Sequence, residues 1–309
     1  MKKIAILLIL TLTIFQFSCD KVEQPGIPIT ELDVTLFPGD FFDYVVPVFD
    51  ENTNTERNVL IEDFTGHKCT FCPAANTEAA AIETNNPGRA FVISIHAAPG
   101  PGGTSPFQAV SPTGEKFTTD FTTPEGKEIA EHLSEVQGGV EGNPTGAVSR
   151  VKNAIGQVLI KANTWADATD TILNNPSLFP LLVNIQAKSN YYPETNGIFI
   201  HTEVDFLKAT SGEYAIVVYA IQDKIIDWQL NGSATEENYE HHNVHIGNVF
   251  EGESFGRVLV NDEVKAGEKF YNDFSYKIPE GLDGTKMHFQ IYVYDKATEE
   301  ILQVIEHRF

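Results

Sequence analysis

Cysteine is scarce: the chain of 309 residues contains three. A disulfide-framework domain needs several bridges, so that class is excluded. With no second cysteine pair, a four-cysteine zinc site cannot be completed either, and no metal is expected. Positive charge is short, with 21 Lys and Arg against 43 Asp and Glu and a formal net charge of −22. An acidic surface of that size repels phosphate backbones and anionic headgroups, which argues against nucleic acid as a partner. Long apolar runs are confined to the N-terminus. No G-x-S-x-G elbow, Walker loop, dinucleotide fingerprint or zinc-protease motif occurs, so no cofactor is expected. Internal repeats and coiled-coil heptads are missing too.

What is present begins with Met1, Lys2 and Lys3, a short positive segment, followed by the apolar run IAILLILTLTIF over residues 4–15. That run is too short to span a membrane comfortably and reads as the apolar part of a cleaved signal peptide over residues 1–18. Gln16-Phe17-Ser18-Cys19 then gives way at once to Asp-Lys-Val-Glu. A small residue before a cysteine at this switch resembles a bacterial lipobox, although Gln16 and Phe17 depart from its Leu-small-small pattern. Cleavage before Cys19 and lipid on that residue are the expectation. Losing Lys2 and Lys3 moves the net charge from −22 to −24. Attachment to an anionic membrane must then come from acyl chains, of which one binds marginally and several anchor.

The mature chain divides by pattern. Residues 19–55 are expected to be a tether with two short strands over 33–37 and 41–49, broken by Pro38-Gly39 and Pro47. Over 56–175, strands alternate with helices: strands at 58–64, 89–96 and 147–151, helices at 74–84, 124–136 and 162–173. That alternation implies an α/β unit. Gly, Pro, Ser and Thr crowd residues 97–124, which reads as a long surface insertion. From 176 to 309 the helical signal disappears. About seven strands with period-two alternation, as in IFIHTEVDF and HFQIYVYD, give the profile of an immunoglobulin-like β-sandwich. Turn signals such as NGSA separate them. Two independently folding domains are expected, with a boundary near 176.

With Cys19 assigned to lipid, one pair remains, Cys69 and Cys72. A bridge between them closes a very small loop and constrains little unfolded-state entropy, so chemistry explains the pair better than stabilisation. The pattern alone leaves a redox-active pair, an inert disulfide and a metal site open. Residues 239–245 (YEHHNVH) form a second cluster. On one strand, His241 and His245 would share a face and Glu240 and His242 the other, which a metal could use. A polar edge without metal is the expectation. His96 and His132 read as structural.

The segment VLIEDFTGHKCTFCP resembles the active-site segment of thioredoxin-like proteins: a buried strand, a short loop and C-x-x-C at a helix start. Asp63-Phe64 match that family's buried acid and aromatic, and Gly142-Asn143-Pro144-Thr145 resembles the loop whose cis-proline packs over the disulfide. Lys68, where an aromatic is usual, and Thr70-Phe71 depart from the pattern. The resemblance implies a thioredoxin-like fold over 56–175, with Cys69 as a solvent-facing nucleophile whose thiol is acidified by the helix N-terminus and Lys68. It also implies Cys72 as the buried resolving thiol, Asp63 as its proton acceptor, and Asn143 and Pro144 as holders of a substrate chain. The order of lipid signal, EDFTGHKCTFCP, PEGKEIAEHL, GNPTGAVSR and strand-rich half is also similar to the twenty-eight-kilodalton outer-membrane-protein-related lipoproteins. That likeness implies anchoring at the outer membrane, on its periplasmic or surface face. Two functions follow as expectations: thiol–disulfide exchange on the thiols of exported proteins, or binding of a surface ligand by an adhesion lipoprotein whose thioredoxin-like part is scaffold.

Overall fold

Alternation and burial agree closely in the first half of the chain. The computed structural model describes residues 32–137, 139, 142–250 and 252–309; Cys19 and the signal segment lie outside the described residues. In chain order come β1 (Val59–Phe64), α1 (Cys72–Asn85), β2 (Ala90–Ile95), α2 (Pro124–Val136), β3 (Thr145–Val148), β4 (Leu159–Ile160) and α3 (Trp165–Leu173). Both longer helices carry proline in their first turn, where it loses nothing because the N–H has no helical partner. Pro73 sits in the first turn of α1, and Pro124 follows Thr123, whose side chain accepts from Gly126 N. The strands lie side by side as β2-β1-β3-β4, with β1 parallel to β2 and antiparallel to β3.

Strands alone follow: β5 (Val183–Tyr192), β6 (Gly197–Phe206), β7 (Thr210–Gln222), β8 (Ile225–Asn231), β9 (Ala234–His241), β10 (Val244–Asn248), β11 (Arg257–Val264), β12 (Glu268–Lys277), β13 (Met287–Asp295) and β14 (Ile301–His307). They do not stand apart from the first half. A nine-stranded sheet runs β14-β13-β7-β10-β2-β1-β3-β4, with β11 also on β7. The expected boundary near residue 176 therefore separates sequence patterns but not sheets, and residues 32–309 cluster as one unit. The join between β10 and β2 is a single parallel pair, Val244 opposite Ser94.

The central strand β7 shows why the sheet needs both neighbours. Ile216, Val218 and Ala220 face one way, into a core shared with β5, β6 and β12, a separate three-stranded sheet. Ala215, Val217, Tyr219 and Ile221 face the other way, into a core with Ile129, Ala130 and Leu133 of α2 and with Leu60 and Phe64 of β1. A strand buried on both faces must be apolar at successive positions, as this one is. A third core lies between β1–β3 and helices α1 and α3, around the fully buried Trp165.

The expected strands at 33–37 and 41–49 are absent among the described residues. Asp33 and Asp40 instead cap short 3-10 turns at Val34–Leu36 and Phe41–Asp43 by accepting from the backbone two residues on. The segment continues without ladder pairing and lays Phe37, Phe41 and Tyr44 against Tyr192 and Phe199. Pro38 and Pro47 cannot donate to a ladder, so side-chain packing prevails here.

Candidate functional site: a covered C-x-x-C disulfide

β1 delivers the chain to the site. Beyond Phe64 the loop turns so that Cys69 N donates to Gly66 O (2.9 Å) and Cys72 N to Cys69 O (3.3 Å), and α1 begins at Cys72. Cys69 and Cys72 form a disulfide with Cα atoms 5.4 Å apart. One expectation is corrected here. Cys69 is 1% exposed, no more open than Cys72 at 0%, whereas Phe71 between them is 72% exposed. The solvent-facing nucleophile of the sequence reading is therefore covered.

Two segments cover it. The first is the stretch 97–124, expected as a surface insertion. Phe107 O accepts from Lys68 N (2.9 Å), and Lys68 Nζ donates to Ser111 Oγ (3.2 Å). Gln108 is buried, and its Nε2 lies 2.6 Å from Thr65 O and 3.2 Å from Asn143 Oδ1. A Cβ on Gly66 would stand 2.8 Å from both Gln108 Nε2 and Phe107 O, so this glycine allows the close approach. The second segment is the β8–β9 hairpin, which the sequence reading passed over. Leu230 N donates to His67 O (2.8 Å), Gly232 N to Thr70 O (2.9 Å), and Gln229 Nε2 to Cys69 O (3.1 Å). Its signal was in the sequence: Asn231-Gly232 is a strong hairpin turn, and Gly232 has φ +58°.

Behind the disulfide lies Asp63, fully buried on the α1 side of β1. Asn76 of α1, with its amide turned toward the carboxylate, donates to Asp63 Oδ2 (2.7 Å) and Cys72 O (3.1 Å) and accepts from Tyr239 Oη (3.1 Å). Among the described residues nothing bonds Asp63 Oδ1. Burial, with no cation to offset it, pushes this carboxyl up to about 8. Asn143 and Pro144 precede β3, joined by a cis peptide bond, and Asn143 Nδ2 donates to Ala97 O (2.8 Å).

A histidine cluster adjoins the loop. His67, His96 and His241 are buried around Phe121, with the His96 and His241 rings 4.7 and 4.8 Å from it. His96 Nδ1 and His241 Nε2 have no hydrogen-bond partner among the described residues. Burial lowers all three, with His241 near 4 and His96 well below its ordinary value. His241 and His245 do not share a strand face as expected. His241 ends β9, Asn243 turns the chain at φ +51°, and His245 lies in β10, where its ring pairs with Thr123 Oγ1 (2.9 Å) and Asn248 Oδ1 (3.1 Å). No group of three or more His, Cys, Asp or Glu able to hold a metal occurs among the described residues.

The sequence model of the family described as outer membrane protein Omp28 matches residues 132–309, more than half of the chain. This protein belongs to the Omp28 family. Its place is accordingly the outer membrane, as the sequence led one to expect. The Omp28 match starts inside α2 and leaves the C-x-x-C segment outside it. Among solved structures, HBP35 of Porphyromonas gingivalis is similar over 84% of this chain and 77% of its own, at 17% identity and a TM-score of 0.61. That likeness places the β-rich mixed fold. A domain of the outer membrane lipoprotein Omp28 from Porphyromonas gingivalis aligns with 42% of this chain and 89% of its own, at 20% identity and a TM-score of 0.29. No curated protein sequence matches the chain.

Proposed function

We propose that this Omp28-family lipoprotein carries out thiol–disulfide exchange on exported proteins through Cys69 and Cys72, set in a thioredoxin-like unit. The strand order β2-β1-β3-β4 with three helices, the disulfide before α1 and the cis Asn143–Pro144 bond all support that fold reading. The observation that carries the function is Asp63. An uncompensated buried carboxyl is costly, and a purely structural site would replace it with an apolar residue. Held near 8 and tied through Asn76 to the backbone carbonyl of Cys72, it suits a group that gives a proton to the departing Cys72 thiolate and takes it back on re-oxidation. Asn143 and Pro144 flank the same loop and are proposed to hold the client chain. Lipidation at Cys19 remains part of the proposal, which the mass of the mature N-terminal peptide tests.

The burial of Cys69 favours a second reading, in which the disulfide is inert and the protein binds a surface ligand. The reduction potential separates the two. Exchange-active pairs lie between about −270 and −120 mV, whereas inert structural disulfides lie below about −300 mV. A value in the lower range would leave the binding reading.

A further inference from the structure

Hairpin β8–β9 leaves the nine-stranded sheet and returns to it at adjacent points, because Gln222 of β7 lies opposite Val244 of β10. Between those points β8 and β9 pair only with each other among the described residues. None of their side chains belongs to the three hydrophobic cores. Outside those cores it is held by Trp228 against Phe117 and His241 against Phe121, and an element so lightly anchored opens at a lower free energy than the strands that carry it. Yet its tip supplies the backbone donors to His67 O and Thr70 O and places the Gln229 amide on Cys69 O. Those donors bracket the disulfide, and Cys69 is 1% exposed with them in place.

We propose that the β8–β9 hairpin is a displaceable flap holding the place of a client, and that the site accepts an extended, cysteine-bearing polypeptide segment. The inference rests on the thiol–disulfide reading above and names its substrate class. The carbonyls of His67 and Thr70, released from Leu230 and Gly232, offer an incoming backbone the same hydrogen bonds, in the manner of strand addition. Exposed Phe71 adds an apolar contact between the two cysteines. A folded client cannot enter such an edge, but an unfolded stretch can. In the exchange, a client thiolate bonds to Cys69 Sγ and the Cys69–Cys72 bond breaks. Cys72 leaves with the electron pair and takes a proton. A second client thiolate then displaces Cys69, so the client pair is oxidised and the protein pair reduced.

The test compares the full chain with Gln229→Ala and with a chain in which residues 225–241 are replaced by two glycines, which joins the ends where β7 and β10 already pair. Each is reduced by a ten-residue peptide dithiol and by dithiothreitol, with circular dichroism reporting the sheets. Removing the flap should speed reduction by the peptide at least about tenfold, Gln229→Ala by less, and dithiothreitol should gain less than the peptide. Equal, measurable rates in all three chains with the sheets intact would overturn the flap while leaving the exchange chemistry standing. A pair that stays oxidised in every chain would overturn the exchange reading itself. Should the shortened chain fail to fold, hydrogen exchange of the full chain decides. The Leu230 and Gly232 amides should exchange well before the Val217 amide of β7, and equal protection would sink the flap.

Discussion

Glu62 and Asp63 are neighbours on β1, both fully buried, and they serve opposite faces of the sheet in opposite ways. Glu62 faces the seam between the two halves of the chain. Arg150 holds it with two hydrogen bonds of 2.7 and 2.8 Å, and the same guanidinium donates to Tyr292 Oη at 2.9 Å. Tyr219 Oη completes the group at 3.2 Å from Glu62 and 2.8 Å from Tyr292. Asp63 faces the disulfide, has no cation, and leaves one oxygen unbonded. A polar group that only joins two layers is best fully satisfied, whereas a group that must change its protonation state cannot be. The seam and the site thus differ in completeness more than in burial.

The largest break in this comparison comes from the seam. Arg150→Met strips Glu62 of its cationic partner at a fully buried site, and we expect a loss of roughly 3–5 kcal/mol in urea unfolding. The double variant Glu62→Leu with Arg150→Met should recover much of that loss, because the fully buried Glu62 charge is gone and only the partly exposed Glu299 loses its Arg150 contact. A double variant as unstable as the single one would show that packing of Arg150 on Tyr292 and Tyr294, and not charge, holds the seam.

At the site the same kind of change should act in reverse. Asp63 ionises near 3.8 when unfolded and near 8 when folded. A raised carboxyl favours the folded state fully only below pH 3.8, and stability is lost as pH rises toward 8, by about 1.4 kcal/mol per unit. Asp63→Asn should therefore stabilise the protein by a few kcal/mol at neutral pH, on the order of that slope summed, and by nothing near pH 3.5. Denaturation midpoints at the two pH values measure it, and a loss of stability at neutral pH would contradict the assignment.

A smaller effect runs the opposite way with pH. His241 is held near 4 by burial, against an ordinary value of 6.5. Its contribution is complete above pH 6.5 and is lost as pH falls toward 4, up to roughly 3 kcal/mol. His241→Leu should flatten that decline between pH 6.5 and 4.5, and an unchanged slope would place the acid sensitivity elsewhere in the cluster.

How much of this was legible depended on how local each signal was. The strands and the helices with proline in their first turn were readable because propensity and burial agree over short windows, as at β1 and α1, but the polar residues that alternate along β6 are buried as well. The C-x-x-C could be read from its spacing, and the buried acid and the proline before β3 from the resemblance to thioredoxin-like proteins. The cover over Cys69 could not, because Gln108 and Gln229 act from segments 39 and 160 residues away, and neither is distinctive as a residue type. The shared sheet was equally hidden: Val244 meets Ser94 through a single pair, and nothing in either segment specifies the other. Glu62 inside NVLIEDF was a legible oddity, a charge in a continuous apolar run. Its partner Arg150 carries no sequence mark.

Trapping tests the central claim most directly. In cells producing Cys72→Ser, Cys69 should accumulate mixed disulfides with envelope proteins, seen as reducible high-mass bands on non-reducing gels. Cys69→Ser should trap none, because Cys72 lies inside α1, whereas Cys69 sits in the loop that the hairpin covers. Adding Asp63→Asn to the wild-type pair should slow the first attack, in which Cys72 departs and takes its proton, without slowing release of the partner. If neither cysteine variant traps a partner, the disulfide is a structural link and the exchange account is wrong.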